Sequence, residues 1–244
     1  MLVNLIRVQS APYTVTLTPL PQYNTIEFGL LRITGNSTLL LTDEADGRKF
    51  KLTEAVDIAE DGIIYFTDAS CKYNLKDYIF DDLEGKPHGR FMSFDPKTKT
   101  TRVLVSDIYF ANGVAVSFDQ AYVRNPGSVD KFIDDLPGVP DNIHYDGQGN
   151  YKSLGSCVLI PFNFILKIVA IVERHVGMPK NLLNGGVMAV DLEGKPIAHY
   201  YDPELTLITS TIKIGDHLYC VSLTKPYVLC LNLRKYPTLA TTSG

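Results

Sequence analysis

Ala55-Val-Asp-Ile-Ala-Glu-Asp-Gly-Ile-Ile-Tyr65 sets apolar residues in alternation on either side of Asp61-Gly62. A period of two gives a strand one apolar face, and Asp-Gly closes a tight turn, so the stretch predicts a β-hairpin. The pattern returns three times: as Asn112-Gly-Val-Ala-Val-Ser-Phe-Asp-Gln-Ala-Tyr122, as Asp141-Asn-Ile-His-Tyr-Asp-Gly-Gln-Gly-Asn-Tyr151 and as Ser210-Thr-Ile-Lys-Ile-Gly-Asp-His-Leu-Tyr219. Strands led by glycine lie between the copies, at Gly29–Ile33, Gly89–Phe94, Gly127–Phe132 and Gly186–Val190. Two hairpin elements per repeat describe a four-stranded blade, so the chain reads as an all-β protein, a β-propeller.

The spacing tests that reading. The repeat tyrosines Tyr65, Tyr122, Tyr151 and Tyr219 are 57, 29 and 68 residues apart. A blade takes roughly 40–50 residues, so the middle interval is too short for four strands and their turns. The shortfall falls at Tyr122-Val-Arg-Asn-Pro-Gly127, which predicts an incomplete propeller. Two short helical insertions interrupt the strands. The first is expected over Asn74–Leu83, with Asn74 as N-cap, Leu75, Ile79 and Leu83 on one face, and Gly85 as the stop. The second is expected over Phe162–Val176, between Pro161 and Gly177.

Composition narrows the function. The chain has 244 residues, 45% hydrophobic and 20% charged, which excludes a disordered tail, a coiled coil and a collagen-like repeat. With 23 Lys and Arg against 27 Asp and Glu the net charge is -4, so there is no electrostatic footprint for nucleic acid. Met1–Val15 mixes Asn4, Arg7, Gln9 and Ser10 into its apolar residues and lacks the unbroken apolar core of a signal peptide. The most apolar run, Cys157–Val172, carries Pro161, Asn163 and Lys167, and is too short and polar for a transmembrane segment. Cys71, Cys157, Cys220 and Cys230 show no CxxC spacing and read as buried free thiols. Asn36-Ser37-Thr38 is a glycosylation sequon, of use only in a secretory compartment.

Asn112, Asp141 and Asn142 begin or adjoin the first strands of their repeats, and Glu54 holds a comparable place before Val56. First strands line the channel of a propeller. Carboxylate and amide oxygens are hard-cation ligands, and Ca2+ takes six to eight of them from dispersed loops. The same residue types also simply make turns. His144 follows Asn142 by two residues and so shares its face, where it is a candidate acid/base or a packing histidine. His88, in Lys86-Pro87-His88-Gly89, reads as a solvated turn residue. No nucleophile elbow, His-Glu-x-x-His helix, Walker loop or dinucleotide fingerprint is present, which disfavours a triad hydrolase and a nucleotide enzyme.

Leu83-Glu-Gly-Lys-Pro-His-Gly-Arg90, Phe94-Asp-Pro-Lys-Thr-Lys-Thr-Thr101 and Tyr109-Phe-Ala-Asn-Gly-Val-Ala-Val-Ser117 closely resemble the strictosidine synthase-like proteins of plants. Ala55–Tyr73, Leu136–Ile143 and Asn184–Asp191 extend the resemblance from about residue 29 to residue 233. It implies a six-bladed propeller of the paraoxonase and gluconolactonase superfamily, spanning 27–244 behind an atypical segment 1–26. It also implies a chain truncated relative to its relatives, with internal deletions. By resemblance Asn112, Asp141 and Asn142 fall on the Ca2+ ligands of the hydrolases in that superfamily, with Glu54 near another. The glutamate base of a true strictosidine synthase falls on Leu207–Ile212, which contains no acid. The expectation is an ester or lactone hydrolase with His144 as acid/base, acting as a monomer on a small-molecule substrate. Amine–aldehyde condensation in alkaloid biosynthesis and a non-catalytic binding propeller are the alternatives. The vacuole or endomembrane system is the expected location by resemblance, with Asn36 glycosylated there.

Overall fold

Asp61-Gly62 turns the chain as its sequence requires. The Asp61 carboxylate accepts from the Ile63 amide at 3.0 Å, and Gly62 takes φ 89°, a conformation that costs a side chain dearly. The hairpin it closes belongs to one of several antiparallel sheets in this computed structural model. The model describes residues 4–7, 14–19, 28–34, 37–116, 139–145, 150–156, 184–191, 193–206, 208–222 and 225–235. The chain divides into two compact units, Met1–Ser128 and Val129–Gly244.

In the first unit, β1 (Asn4–Arg7), β2 (Thr14–Pro19), β3 (Phe28–Thr34) and β4 (Ser37–Thr42) form one four-stranded sheet, each strand pairing with the next. A small ribbon follows, β5 (Glu44–Ala45) and β6 (Arg48–Lys49), around Asp46 and Gly47 at φ 50° and 71°. The second four-stranded sheet consists of β7 (Thr53–Ile58), β8 (Ile64–Asp68), β9 (Gly89–Asp95) and β10 (Thr100–Ile108), with helix α1 (Tyr78–Glu84) between β8 and β9. Central strand β8 is buried throughout, whereas β9 alternates buried and half-buried residues, as a strand packed on one face must. Leu30, Phe50, Val56, Ile64, Phe66, Met92 and Phe94 make the core, with Phe50 and Phe66 edge-to-face at 5.4 Å.

A buried ion pair ties the ribbon to this sheet. Arg90 Nη2 donates to Asp68 Oδ2 at 2.6 Å while Nη1 donates to the Ala45 carbonyl at 3.2 Å. Asp68 Oδ1 accepts from the Leu52 and Lys51 amides. Burial pushes the Asp68 carboxyl up, and Arg90 and those two amides oppose the push.

In the second unit, β11 (Val139–Tyr145), β12 (Asn150–Ser156), β13 (Asn184–Asp191) and β14 (Pro196–Thr206) form a third four-stranded sheet in sequence order. β15 (Ile208–Ile214), β16 (His217–Ser222) and β17 (Leu229–Asn232) make a three-stranded one. The expected hairpin at Gly215-Asp216 is present, with Ile214 paired to His217 across the two-residue turn. Val187, Ile208, Leu218 and Cys220 form the core of this unit. Sheets whose strands follow in order are the blades of a propeller, so the all-β expectation holds.

Three expectations change. The helix begins at Tyr78 and not at Asn74, because the Asn74 side chain accepts from the Lys76 amide at 3.0 Å and its carbonyl from the Asp77 amide at 2.9 Å. That local turn uses up the groups a cap would offer. Gly85 ends the helix as expected, at φ 62°. Residues 112–116 are not a strand; side chains hold them instead, with the Thr67 hydroxyl donating to the Asn112 carbonyl at 2.7 Å and Asp57 Oδ2 accepting from the Val116 amide at 2.7 Å. Of the described cysteines, only Cys220 is buried; Cys71 is half-buried and Cys230 exposed, all three free. The expected helix at 162–176, the strand at 127–132, the junction 123–127, Cys157 and Asn36 lie outside the described residues.

Candidate functional site

The first strand of three sheets carries a β-bulge near its start. The register shifts between Thr53 and Val56 in β7, between Pro140 and Ile143 in β11, and between Ile208 and Ser210 in β15. A bulge inserts an extra residue and re-aims side chains. Glu54 lies in the first, Asp141 and Asn142 in the second, and Thr209 in the third. The sequence pointed to all but Thr209.

In the first unit, Glu54 and Asn112 share one end of the β7–β10 sheet. Thr53 pairs with Asp68, Asp68 with Arg90, and Gly89 with Ile108, so the start of β7, the α1 connection and the exit of β10 lie together. Gly89 makes that packing possible: a Cβ there would come within 2.7 Å of the Ile108 carbonyl and 2.8 Å of the Ala111 amide, both backbone. The 111–116 segment is thereby laid against the sheet, with the Thr67 hydroxyl relaying from the Asn112 carbonyl to the Ala55 amide. Glu54 is half-buried. Asn112 Oδ1 is buried with no hydrogen-bond partner, and so is Thr53 Oγ1. A buried amide oxygen left unpaired costs about 1–3 kcal/mol, so native proteins rarely keep one without a ligand or water.

In the second unit, Asn142 Nδ2 donates to the Thr209 carbonyl at 2.7 Å and approaches Asp141 Oδ1 at 3.4 Å. His144 Nε2 lies 3.1 Å from the Ser210 hydroxyl. Asn142 and His144 thus both reach β15, as residues two apart on one strand should. His144 is exposed, and Asp141 and Asn142 are half-buried. The hydroxyls of Thr209 and Thr211 are buried without partners. No acid occurs on β15.

Glu54 and Asn112 within the first unit, and Asp141 and Asn142 within the second, each offer carboxylate and amide oxygens of the kind hard cations take, and the orphaned Asn112 oxygen suits such an ion. Among the described residues no three His, Cys, Asp or Glu side chains cluster as a metal site, so any such site depends on the amides.

His88 is not the solvated residue its sequence suggested. Its Nδ1 lies 2.9 Å from Asp81 Oδ1, and the same carboxylate oxygen accepts from the Ser70 hydroxyl at 2.6 Å. Asp81 is 3% exposed and His88 15%. Glu84, one turn on, is held by Lys72, by Lys86 at 3.0 Å and by the Tyr73 hydroxyl at 2.9 Å, and these bonds bring its carboxyl down to about 2. The spacing of Asp81, Glu84 and His88 was the readable trace of this cluster. Among the described residues no helix is long and apolar enough to cross a membrane.

Comparisons with known proteins agree with this architecture. A family model described as strictosidine synthase matches residues 54–125. Strictosidine synthase-like 6 of Arabidopsis thaliana is 49% identical over 232 residues, covering 86% of this chain and 62% of the relative. Strictosidine synthase-like 7 of the same plant is 47% identical with the same coverage. The adipocyte plasma membrane-associated protein of Bos taurus is 28% identical, over 80% of this chain and 56% of its own. Among solved structures, a gluconolactonase from Xanthomonas campestris superposes with TM-score 0.57 at 16% identity, covering 90% of this chain and 68% of that one. A luciferin-regenerating enzyme gives TM-score 0.57 at 14% identity, covering 91% and 70%. At such identities the structures establish a shared propeller fold and nothing further. The chain spans less than two thirds of the plant relatives it matches, yet shares nearly half its residues with them over most of its own length. It belongs to the strictosidine synthase-like family.

Proposed function

We propose that the chain works as an ester or lactone hydrolase assisted by Ca2+, and not as a condensing synthase. The observation that carries this is the buried, unpartnered amide oxygen of Asn112. Glu54 and Asn112 in the first unit, and Asp141 and Asn142 in the second, are the candidate ligands. Bound Ca2+ would supply Lewis-acid polarisation of a carbonyl and a more acidic water. Asn142 is oriented by its bond to the Thr209 carbonyl, which leaves its amide oxygen as the acceptor. His144, bonded through Nε2 to Ser210, is the group available to take and return a proton near neutral pH.

The synthase reading needs an acid on β15, where the chain offers Thr209, Ser210 and Thr211. A hydroxyl does not accept an amine proton at neutral pH. The family resemblance also supports residence in the vacuole or endomembrane system as a monomer, with Asn36 glycosylated; immunolocalisation and a glycosidase-induced mobility shift test that.

Turnover of aryl esters and γ-lactones, followed by pH-stat with Ca2+ and with chelator, tests the activity. Ca2+-dependent hydrolysis is expected. Formation of a condensed product from tryptamine and secologanin would overturn the reading. A folded chain with no turnover and no response to Ca2+ would make it a binding propeller.

A further inference from the structure

Glu54 and Ala55 lie opposite a single residue of β8. Thr53 pairs with Asp68 and Val56 with Phe66, so Thr67 alone faces the two residues of the bulge. The Ala55 amide, inside that unpaired stretch, donates to the Thr67 hydroxyl at 3.2 Å. The one proton of the hydroxyl goes to the Asn112 carbonyl at 2.7 Å. Thr67 is 4% exposed, so both bonds lie away from water. One buried side chain thus joins the peptide that follows Glu54 to the backbone of Asn112.

The far end of the Asn112 segment is anchored as well. Asp57 Oδ2 accepts from the Val116 amide at 2.7 Å, and its Oδ1 from the Ile58 amide at 2.8 Å. Residues 112–116 make no strand, so these side chains supply bonds that a ladder would otherwise supply. The Asn112 amide oxygen takes no part in that fastening: it is buried with no hydrogen-bond partner. In the second unit the arrangement differs. The residue opposite Asp141 and Asn142 in the β11 bulge is Leu154, which has no hydroxyl, and Asn142 fastens itself through its own amide to the Thr209 carbonyl. A ligand oxygen whose backbone is held by other groups is arranged before the ion arrives, which lowers the ordering cost of binding.

We propose that Thr67 and Asp57 are positioning residues for the cation site of the first unit. Thr67 fixes the backbones of Glu54 and Asn112 relative to one another, and Asp57 holds the far end of the Asn112 segment. The Asn112 amide oxygen is thereby kept for the ion. The inference rests on the Ca2+ reading and adds the groups that arrange the site.

Calorimetric titration with CaCl2 gives Kd for the unaltered chain and for each variant. Thr67→Val keeps the branched shape and loses both bonds, so it should weaken Ca2+ binding about 10–100-fold, as loss of an outer group that orients a ligand does. Thr67→Ser returns the hydroxyl and should bind nearly as the unaltered chain does. Thr101→Val, on β10 of the same sheet, removes a hydroxyl bond to Thr42 Oγ1 at 2.8 Å and should leave Kd unchanged. Asp57→Ala should weaken binding as Thr67→Val does, and it judges the inference if circular dichroism shows that Thr67→Val does not fold. An affinity kept in Thr67→Val, or lost equally in Thr67→Ser or Thr101→Val, overturns the inference and leaves the Ca2+ reading standing. An unaltered chain that binds no Ca2+ overturns both.

Discussion

Arg90 donates a charge-assisted hydrogen bond to Asp68 in the interior of the first unit; Arg90 also donates to the Ala45 carbonyl of the neighbouring ribbon, and Asp68 accepts from the Leu52 amide just after it. Removing one partner leaves the other charge buried, which typically costs 3–5 kcal/mol, while an apolar replacement of both is often close to neutral. Arg90→Met should therefore lower the urea midpoint far more than the Asp68→Leu, Arg90→Met pair does. Cys220 makes a second residue-scale prediction. Burial first, and then neighbouring Cys230, pushes its thiol up to about 11. Its folded value lies above the unfolded value of about 8.5, so its contribution to stability is complete below that pH. It is lost as the pH rises through 11. Iodoacetamide at pH 8 should label exposed Cys230 readily and Cys220 only after denaturation, as peptide mass mapping would show. A fast native reaction at Cys220 would contradict its burial. Cys220 was read from the sequence as a buried free thiol and is one, whereas the role of Arg90 was not legible, because its burial depends on partners that are distant along the chain. Arg90 reaches Ala45 and Asp68, each from a different element.

At the scale of elements, the hairpins were the most legible feature. Asp61-Gly62 and Gly215-Asp216 state a backbone conformation that few other residue pairs accept, and alternation states which face is buried. The helix start was less legible, since Asn74 serves a turn as well as a cap and only local geometry decides which. The bulges in β7, β11 and β15 were not legible, because a bulge is a property of pairing between strands. Gly89 connects these elements to the candidate site. Gly89→Ala would drive a methyl into two backbone atoms that cannot rotate away, so residues 108–112 must shift. Overpacking of this kind costs about 1–3 kcal/mol, and chemical denaturation should register it. Helix α1 gives an acid-side prediction. Glu84 has its carboxyl lowered to about 2, first by Lys72, then by Lys86 and Tyr73. Such a depressed carboxylate supports the fold fully above its unfolded value near 4.3 and loses that support as pH falls through 2. Amide exchange across Tyr78–Glu84 should stay slow down to about pH 4 and accelerate below it, relative to the other strands. In Lys72→Ala the acceleration should begin at higher pH.

For the molecule as a whole, repeated hairpins made the propeller class readable, whereas the oxygen donors were readable only as residue types. Their use depends on an ion whose binding can be read thermodynamically. A ligand that binds only the folded state stabilises it by RT ln(1 + [L]/Kd), about 2.7 kcal/mol at a hundredfold excess over Kd. For a chain of 150–250 residues each kcal/mol moves Tm by about 2–4 °C, so saturating Ca2+ should raise Tm by about 5–11 °C. Asn112→Ala should abolish the part of that rise that depends on its buried oxygen. It also removes an unpaired buried acceptor, so the variant without Ca2+ should be no less stable than the unaltered chain. The opposite signs with and without the ion separate ligation from packing. A packing role predicts equal losses in both conditions, and an Asn112 that is merely a turn former predicts no Ca2+ response to lose. Asn142→Ala should behave differently. Its amide nitrogen holds the Thr209 carbonyl, so the variant should lose about 0.5–1.5 kcal/mol of stability in chelator, read as a lowered Tm, before any effect of Ca2+. If both variants instead shift Tm alike with and without Ca2+, the oxygens of these loops bind no ion, and the strictosidine synthase-like propeller is a scaffold whose chemistry lies elsewhere.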